Sequence, residues 1–251
     1  MTPAPPDPVT SDLKLTPDLK PLDIEPTAVL AIVAHPDDIE YGAAAAVALW
    51  TRAGIPVTYV LASSGEAGID GLAPEEAGPL REAEQRASGA VVGVDTVEFL
   101  GYPDGTIENT LALRRDLAAA IRRHRPDTLL LFNHREAWGP GTLNTPDHRA
   151  VGAAALDATG AAANRWIFRD LDLPAHRVRT ALVTSSPLAN RALDVSSTVD
   201  AAVASLAEHK AYLEGLGEHA MADPEILRMF FDQTGLRFGG VPAVAFEVIS
   251  P

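Results

Sequence analysis

From Ala28 onward the chain is made of short, wholly apolar runs separated by longer amphipathic stretches. AVLAIVA (28–34), PVTYVLA (56–62), DTVEFLG (95–101) and DTLLLFN (127–133) have the length of strands. Their apolar positions run on instead of alternating, the pattern of strands covered on both faces, as in a parallel sheet. Between them, helices are predicted from about Ile39 to Ala53, from Pro74 to Val92, from Leu111 to His124, and from near Thr145. TALVTSS (180–186) and VPAVAFEVI (241–249) predict two more strands, with helices around 198–215 and 224–234. Strand and helix thus alternate through most of the chain, which predicts one α/β domain: a mostly parallel sheet flanked by helices and joined by right-handed crossovers.

No repeat or linker divides residues 28–251, which are read as a single domain. Residues 1–27 hold seven prolines and are read as an irregular arm, packed on the domain or on a neighbouring subunit, or disordered; proline removes a backbone donor and biases its predecessor away from helix. The arm has neither the basic start nor the apolar stretch of a secretory signal. No apolar run reaches the ~20 residues that a bilayer requires. The chain has no cysteine, which excludes disulfides, thiolate metal sites and cysteine nucleophiles. Twenty Lys+Arg against 34 Asp+Glu give a net charge of −14, so phosphate backbones and anionic lipid surfaces are repelled. The expectation is a soluble cytoplasmic protein with a small-molecule substrate and neither nucleic acid nor membrane as a partner.

In a doubly wound sheet, ligands bind beyond the carboxyl ends of the strands. The first strand runs into His35-Pro36-Asp37-Asp38, the second into SSGEAG (63–68), the third into GYPDG (101–105), and the fourth into NHREAWGPGTLNTPDHR (133–149). Neither a G-x-G-x-x-G nor a Walker motif occurs, nor a G-x-S-x-G elbow, which counts against dinucleotide, phosphate-loop and serine-hydrolase chemistry. His35 and Asp38 can point into one pocket across the strand-to-helix turn, and His148 opens the helix after the fourth strand. Two imidazoles and one carboxylate suit zinc with a position left for water; they also suit Fe2+ or another divalent metal. Asp37 would lie beside that metal and take a proton from the water. The same residues also read as helix caps: Asp37 and Glu40 form a capping box, and Thr145-Pro146-Asp147-His148 an N-cap followed by proline.

AHPDDIEYGAA (34–44) with the downstream PDHRAVG (146–152) resembles the PIG-L/LmbE-like zinc-dependent N-deacetylases, and SSGEAG, Arg81 with EAEQRA, and FLGYPDG follow in the family's order. The resemblance covers roughly residues 28–160. It implies a single Rossmann-like domain, zinc held by His35, Asp38 and His148, and Asp37 as general base. It also implies hydrolysis of an N-acyl group, commonly the N-acetyl of a glucosamine unit, and a chain that can assemble as a homo-oligomer. Amide cleavage of a thiol conjugate or other secondary metabolite, and metal binding without turnover, are the alternatives. Many members have a histidine where this chain has Thr145, and some have a tyrosine near the position of Leu143 or Asn144, so the proton donor to the leaving amine is open. Asp37, acting as base and then acid, is the simplest source, with His134 its strongest rival.

Other candidates carry lighter readings. Arg81 binds substrate or is a solvated arginine at a helix start. Glu66 contacts substrate or orders its loop. Tyr102 and Trp138 are read as pocket walls, Tyr102 also as a substrate contact. Asp147 orients a ligand or caps its helix, and His134 stands behind the site. Asp104 reads as a turn former, and His209 and His219 as packing or surface histidines.

Overall fold

The computed structural model describes residues 18–251. In chain order its strands are Lys20–Pro21 (β1), Val29–Val33 (β2), Val57–Leu61 (β3), Thr96–Phe99 (β4) and Thr128–Leu131 (β5). A small hairpin, Ala137–Gly139 (β6) and Thr142–Leu143 (β7), precedes Thr180–Thr184 (β8), Arg191–Asp194 (β9) and Ala243–Ile249 (β10). The helices are Asp38–Gly42 (α1), Ala44–Arg52 (α2), Pro74–Val91 (α3), Leu111–His124 (α4), Pro146–Ala163 (α5), Val199–Leu206 (α6), Lys210–Gly215 (α7) and Ile226–Gly235 (α8).

The main sheet has eight strands in the order β1-β9-β10-β8-β5-β2-β3-β4. β4, β3, β2, β5 and β8 are mutually parallel, and β10 runs antiparallel between β8 and β9. The sheet is covered on both faces, which is why β2 is apolar throughout. Val29, Ala31 and Val33 pack into one cluster with α2, α6 and α8, while Leu30 and Ile32 pack into another with α4 and α5. Each such buried branched side chain is worth about 1.5–3 kcal/mol. The expected α/β domain with a mostly parallel sheet is the fold observed.

Local departures have local causes. The single helix predicted over 39–53 is two, broken at Ala43 (φ −153°). The Thr184 hydroxyl donates to the Gly42 carbonyl at 2.6 Å, taking that carbonyl out of the helical ladder. A Cβ at Gly42 would come within 2.6 Å of Thr184 Cγ2. Within the arm, Leu19 is buried and Lys20–Pro21 pairs with Arg191–Ala192. So the end of the arm does form a short strand and packs on the domain; its first 17 residues lie outside those described.

Candidate metal and active site

The strand order reverses at β2: β3 and β4 follow on one side, and β5 lies on the other. The crevice between β2 and β5 is the switch point where such sheets bind ligands. β2 ends immediately before His35, Asp37 and Asp38, and the loop after β5 leads into Asn144, Asp147 and His148 at the start of α5.

These residues meet. His35 Nδ1 lies 3.3 Å from His148 Nε2, His148 Nε2 lies 3.0 Å from Asp38 Oδ1, and His35 Nδ1 lies 3.8 Å from Asp38 Oδ2. The three side chains can hold one metal ion. Tetrahedral zinc with ~2.0–2.1 Å bonds spaces its ligand atoms by about 3.3 Å, close to the 3.3 and 3.0 Å that separate His148 Nε2 from His35 Nδ1 and Asp38 Oδ1. The far nitrogen of each ring is engaged too. His35 Nε2 lies 3.1 Å from both Asp147 Oδ2 and Asp104 Oδ1. His148 Nδ1 lies 2.9 Å from Asn144 Oδ1, and Asn144 Nδ2 donates to the carbonyls of Asn133 and Arg135 at 2.7 and 3.0 Å, which sets the orientation of the amide. Oxygens that can only accept fix a ring proton on each far nitrogen, so that His35 Nδ1 and His148 Nε2 would be the ligand atoms when a metal is bound. Second partners of this kind are what metal-ligating histidines have.

The electrostatics agree with a cation here. Burial lowers the pKa of His35, but hydrogen bonds to Asp104, Asp147 and Asp38 outweigh it and hold the pKa well above its ordinary value. Burial raises that of Asp38, yet the charge and hydrogen bond of His148 bring it far below the carboxylate range. Asp38 Oδ2 also accepts the amides of Ala34 and His35, both at 3.0 Å. Asp147 is anchored by the amides of Gly105 and Ile107 at 2.7 and 3.1 Å.

Asp37 stands outside the triangle. Its backbone is left-handed (φ 91°), a costly conformation for a residue other than glycine. Its N–H donates to Gln85 Oε1 at 3.0 Å. Gln85 Nε2 and Ser88 Oγ donate in turn to Glu40 Oε1 at 2.9 and 2.6 Å, and His209 Nε2 lies 3.6 Å from Glu40 Oε2. The capping box is therefore absent: Asp37 makes no side-chain cap hydrogen bond, and Glu40 turns into this buried cluster. Burial raises the Asp37 carboxyl to about 6, with the Arg81 guanidinium at 3.4 Å opposing. A carboxyl of that pKa beside a metal site suits proton transfer near neutrality. At the other helix start the capping expectation holds: Thr145 Oγ1 accepts the His148 amide at 3.3 Å, and Pro146 occupies the first turn.

The profile of the PIG-L family, described as GlcNAc-PI de-N-acetylase, matches residues 30–159, just over half of the chain. The chain belongs to the PIG-L family. It is 31% identical over 132 residues to a diacetylchitobiose deacetylase of Thermococcus kodakarensis, a match covering 52% of this chain and 48% of that one. It is also 31% identical over 137 residues to a probable N-acetyl-alpha-D-glucosaminyl L-malate deacetylase 2 of Bacillus anthracis, covering 52% of this chain and 58% of that one. The chain thus spans about half the length of these two curated relatives. Among solved structures, the N,N'-diacetylchitobiose deacetylase of Pyrococcus horikoshii superposes with a TM-score of 0.80 at 21% identity, over 90% of this chain and 85% of that one. That likeness is one of fold.

In this PIG-L chain, His35, Asp37, Asp38, His148, Arg81, Asp147 and Trp138 line one cavity of 860 Å³. Several expectations need correction. Arg81 is neither solvated nor at a helix start: it lies inside α3 and is buried. It donates to the carbonyls of Gly65 and Pro36 at 2.8 and 2.7 Å and stacks 4.2 Å over the Tyr212 ring. A Cβ at Gly65 would sit 2.3 Å from its guanidinium, and Gly65 has φ 64°, so this loop admits only glycine there. Glu66 is not a cavity residue; it accepts the Asp104 amide at 2.8 Å and so orders its loop. Tyr102 is not a wall either, because its hydroxyl turns to Asp116 at 2.8 Å. His134 packs away from the cavity against Gly152. Asp104 is more than a turn former, since it reaches His35 and lines the cavity. His209 is the packing histidine expected, while His219 lies on the cavity wall. Tyr212 was not anticipated. Burial and the neighbouring Asp37 carboxylate raise its pKa, so its hydroxyl stays protonated. It sits on α7, where no motif marks it.

Proposed function

We propose that this chain is a zinc-dependent hydrolase that removes an N-acyl, typically N-acetyl, group from an amino sugar or amino-sugar conjugate. The observation that carries the reading is the triangle of His35, Asp38 and His148 with Asp37 beside it. Membership of the PIG-L family, and relatives named as deacetylases of diacetylchitobiose and of N-acetylglucosaminyl malate, support the substrate class.

His35, Asp38 and His148 would hold the ion. When bound, zinc supplies Lewis-acid polarisation of the amide carbonyl and acidifies a water. Asp37 accepts the proton of the attacking water and holds it until the carbon–nitrogen bond breaks. It then returns the proton to the departing amine, because an amide anion is too basic to leave unaided. Arg81 and Gln85 hold Asp37 in place throughout. Asp104 and Asp147 keep His35 in one tautomer, and Asn144 does the same for His148.

The test is metal analysis of freshly purified protein combined with an amine-release screen over N-acylated sugars. The expected result is about one equivalent of metal and release of a free amine with the matching acid. A metal-replete protein that releases no amine from any N-acyl sugar or conjugate overturns the reading.

A further inference from the structure

The left-handed turn at Asp37 is held on both sides of its Cα. On the far side the Asp37 carbonyl accepts the Tyr41 amide of α1 at 3.0 Å. On the near side, the peptide joining Pro36 to Asp37 is gripped at both ends by α3. Arg81 donates to the Pro36 carbonyl at 2.7 Å, and Gln85 Oε1 accepts the Asp37 amide at 3.0 Å. The Gln85 grip depends on which way its amide group faces, because turned over it would set an N–H against an N–H. Glu40 decides that. A carboxylate can only accept, and Glu40 Oε1 takes the Gln85 Nε2 proton at 2.9 Å and the Ser88 hydroxyl at 2.6 Å. Arg81, Gln85 and Ser88 share one face of α3, at i, i+4 and i+7. Glu40 is itself fully buried, and a buried carboxylate is tolerable only with a counter-charge. Its one ion pair among the described residues is with His209, whose Nε2 lies 3.6 Å from Oε2. His209 is a poor choice for packing alone. It is fully buried where α6 gives way to α7, and neither ring nitrogen has a hydrogen-bond partner among the described residues. Burying an imidazole in that way costs stability that a leucine would not cost, and what it brings is the charge opposite Glu40.

We propose that His209 is a positioning residue for Asp37: paired with Glu40, it fixes the Gln85 amide and so holds the left-handed turn that sets the Asp37 carboxyl beside the metal site. The proposal rests on the hydrolase reading for what Asp37 does there, and on the buried cluster alone for how Asp37 is held. A base displaced by about 1 Å can lose ~10² in rate, so the pair acts on kcat without touching substrate.

The test is the hydrogen-exchange rate of the Asp37 amide, followed residue by residue by NMR on metal-loaded protein, together with kcat, KM and metal content. In His209→Leu the Asp37 amide should exchange about tenfold faster, as expected for one buried hydrogen bond lost. The amides of Leu30 and Ile32 in β2 should keep their rates. kcat should fall by about tenfold or more, with KM and bound metal unchanged. Glu40→Gln keeps the volume and removes the charge; it should act alike, and adding His209→Leu to it should change exchange by less than about twofold. If His209→Leu leaves Glu40 unpaired and fails to fold, Glu40→Gln with and without His209→Leu decides. Unchanged Asp37 exchange in either folded single variant overturns the proposal. So does faster exchange that β2 shares, which marks general loosening, or a further effect of about tenfold from His209→Leu in the double variant. In an active enzyme, faster exchange with unchanged kcat overturns it too. Exchange needs no turnover: a wild type that releases no amine sinks the hydrolase reading, while the exchange rates still decide how Asp37 is held.

Discussion

His148 donates from Nδ1 to Asn144 Oδ1 at 2.9 Å, and the same Asn144 amide is pinned by two backbone carbonyls. The ring is thereby held in the tautomer that offers Nε2 to a metal. Replacing Asn144 with leucine removes the acceptor and frees the ring to turn. Metal affinity should fall by about 10–100-fold, read by competition with a chromogenic chelator. Unchanged affinity would mean that packing against Phe132 and Trp138 alone orients His148.

Asp37→Asn separates base from ligand. The variant keeps its bound metal and loses kcat by roughly 10²–10⁴-fold, with metal content and turnover measured on the same sample. Loss of metal together with activity would make Asp37 a ligand.

Thr145 stands where many relatives carry a histidine, and its hydroxyl is engaged as the cap of α5. It does not titrate near neutrality. Of the rival donors, His134 and His209 do not line the cavity, and His219 does. His219→Gln should therefore keep kcat within about tenfold, since Asp37 returns the proton. A metal-replete variant slowed by ~10² or more would transfer the acid role to His219.

Asp127 offers a prediction about stability. Burial raises its pKa, but hydrogen bonds from Thr27 and Arg179 outweigh that and lower it to about 2. A carboxyl whose folded pKa is depressed stabilises the fold above its unfolded value of roughly 3.9, and that contribution fades as pH falls through the folded value. Urea melts of wild type and Asp127→Asn should differ above pH 4 and converge toward pH 2. A constant difference across that range would mean that the ionised carboxylate is not the stabilising form.

The sheet was legible because its central strands are buried on both faces, so their apolar runs are unbroken; β2, with Leu30 and Ile32 facing one way and Val29, Ala31 and Val33 the other, is the plainest case. β1, β6, β7 and β9 are two to four residues long, too short to carry a period, and β1 exists only through pairing with Arg191–Ala192. The antiparallel run of β10 is a tertiary choice that its composition does not encode. At the site, His35, Asp37, Asp38 and His148 could be read because they sit just past strand ends or in the first turn of a helix. Asp104 and Tyr212 could not, and Arg81 was legible only as one of two alternatives. Asp104 looks like any turn aspartate until the fold brings His35 to it. Arg81 looks like any helix arginine until Gly65 and Pro36 close over it, and Tyr212 comes from more than 170 residues downstream of Asp37.

The most direct measurement is the metal stoichiometry of purified His148→Ala beside wild type, by elemental analysis after identical metal loading and desalting. The account predicts about one zinc per wild-type chain and close to none in the variant, because His148 supplies one corner of the triangle with His35 and Asp38. Full occupancy in a folded His148→Ala protein would contradict it.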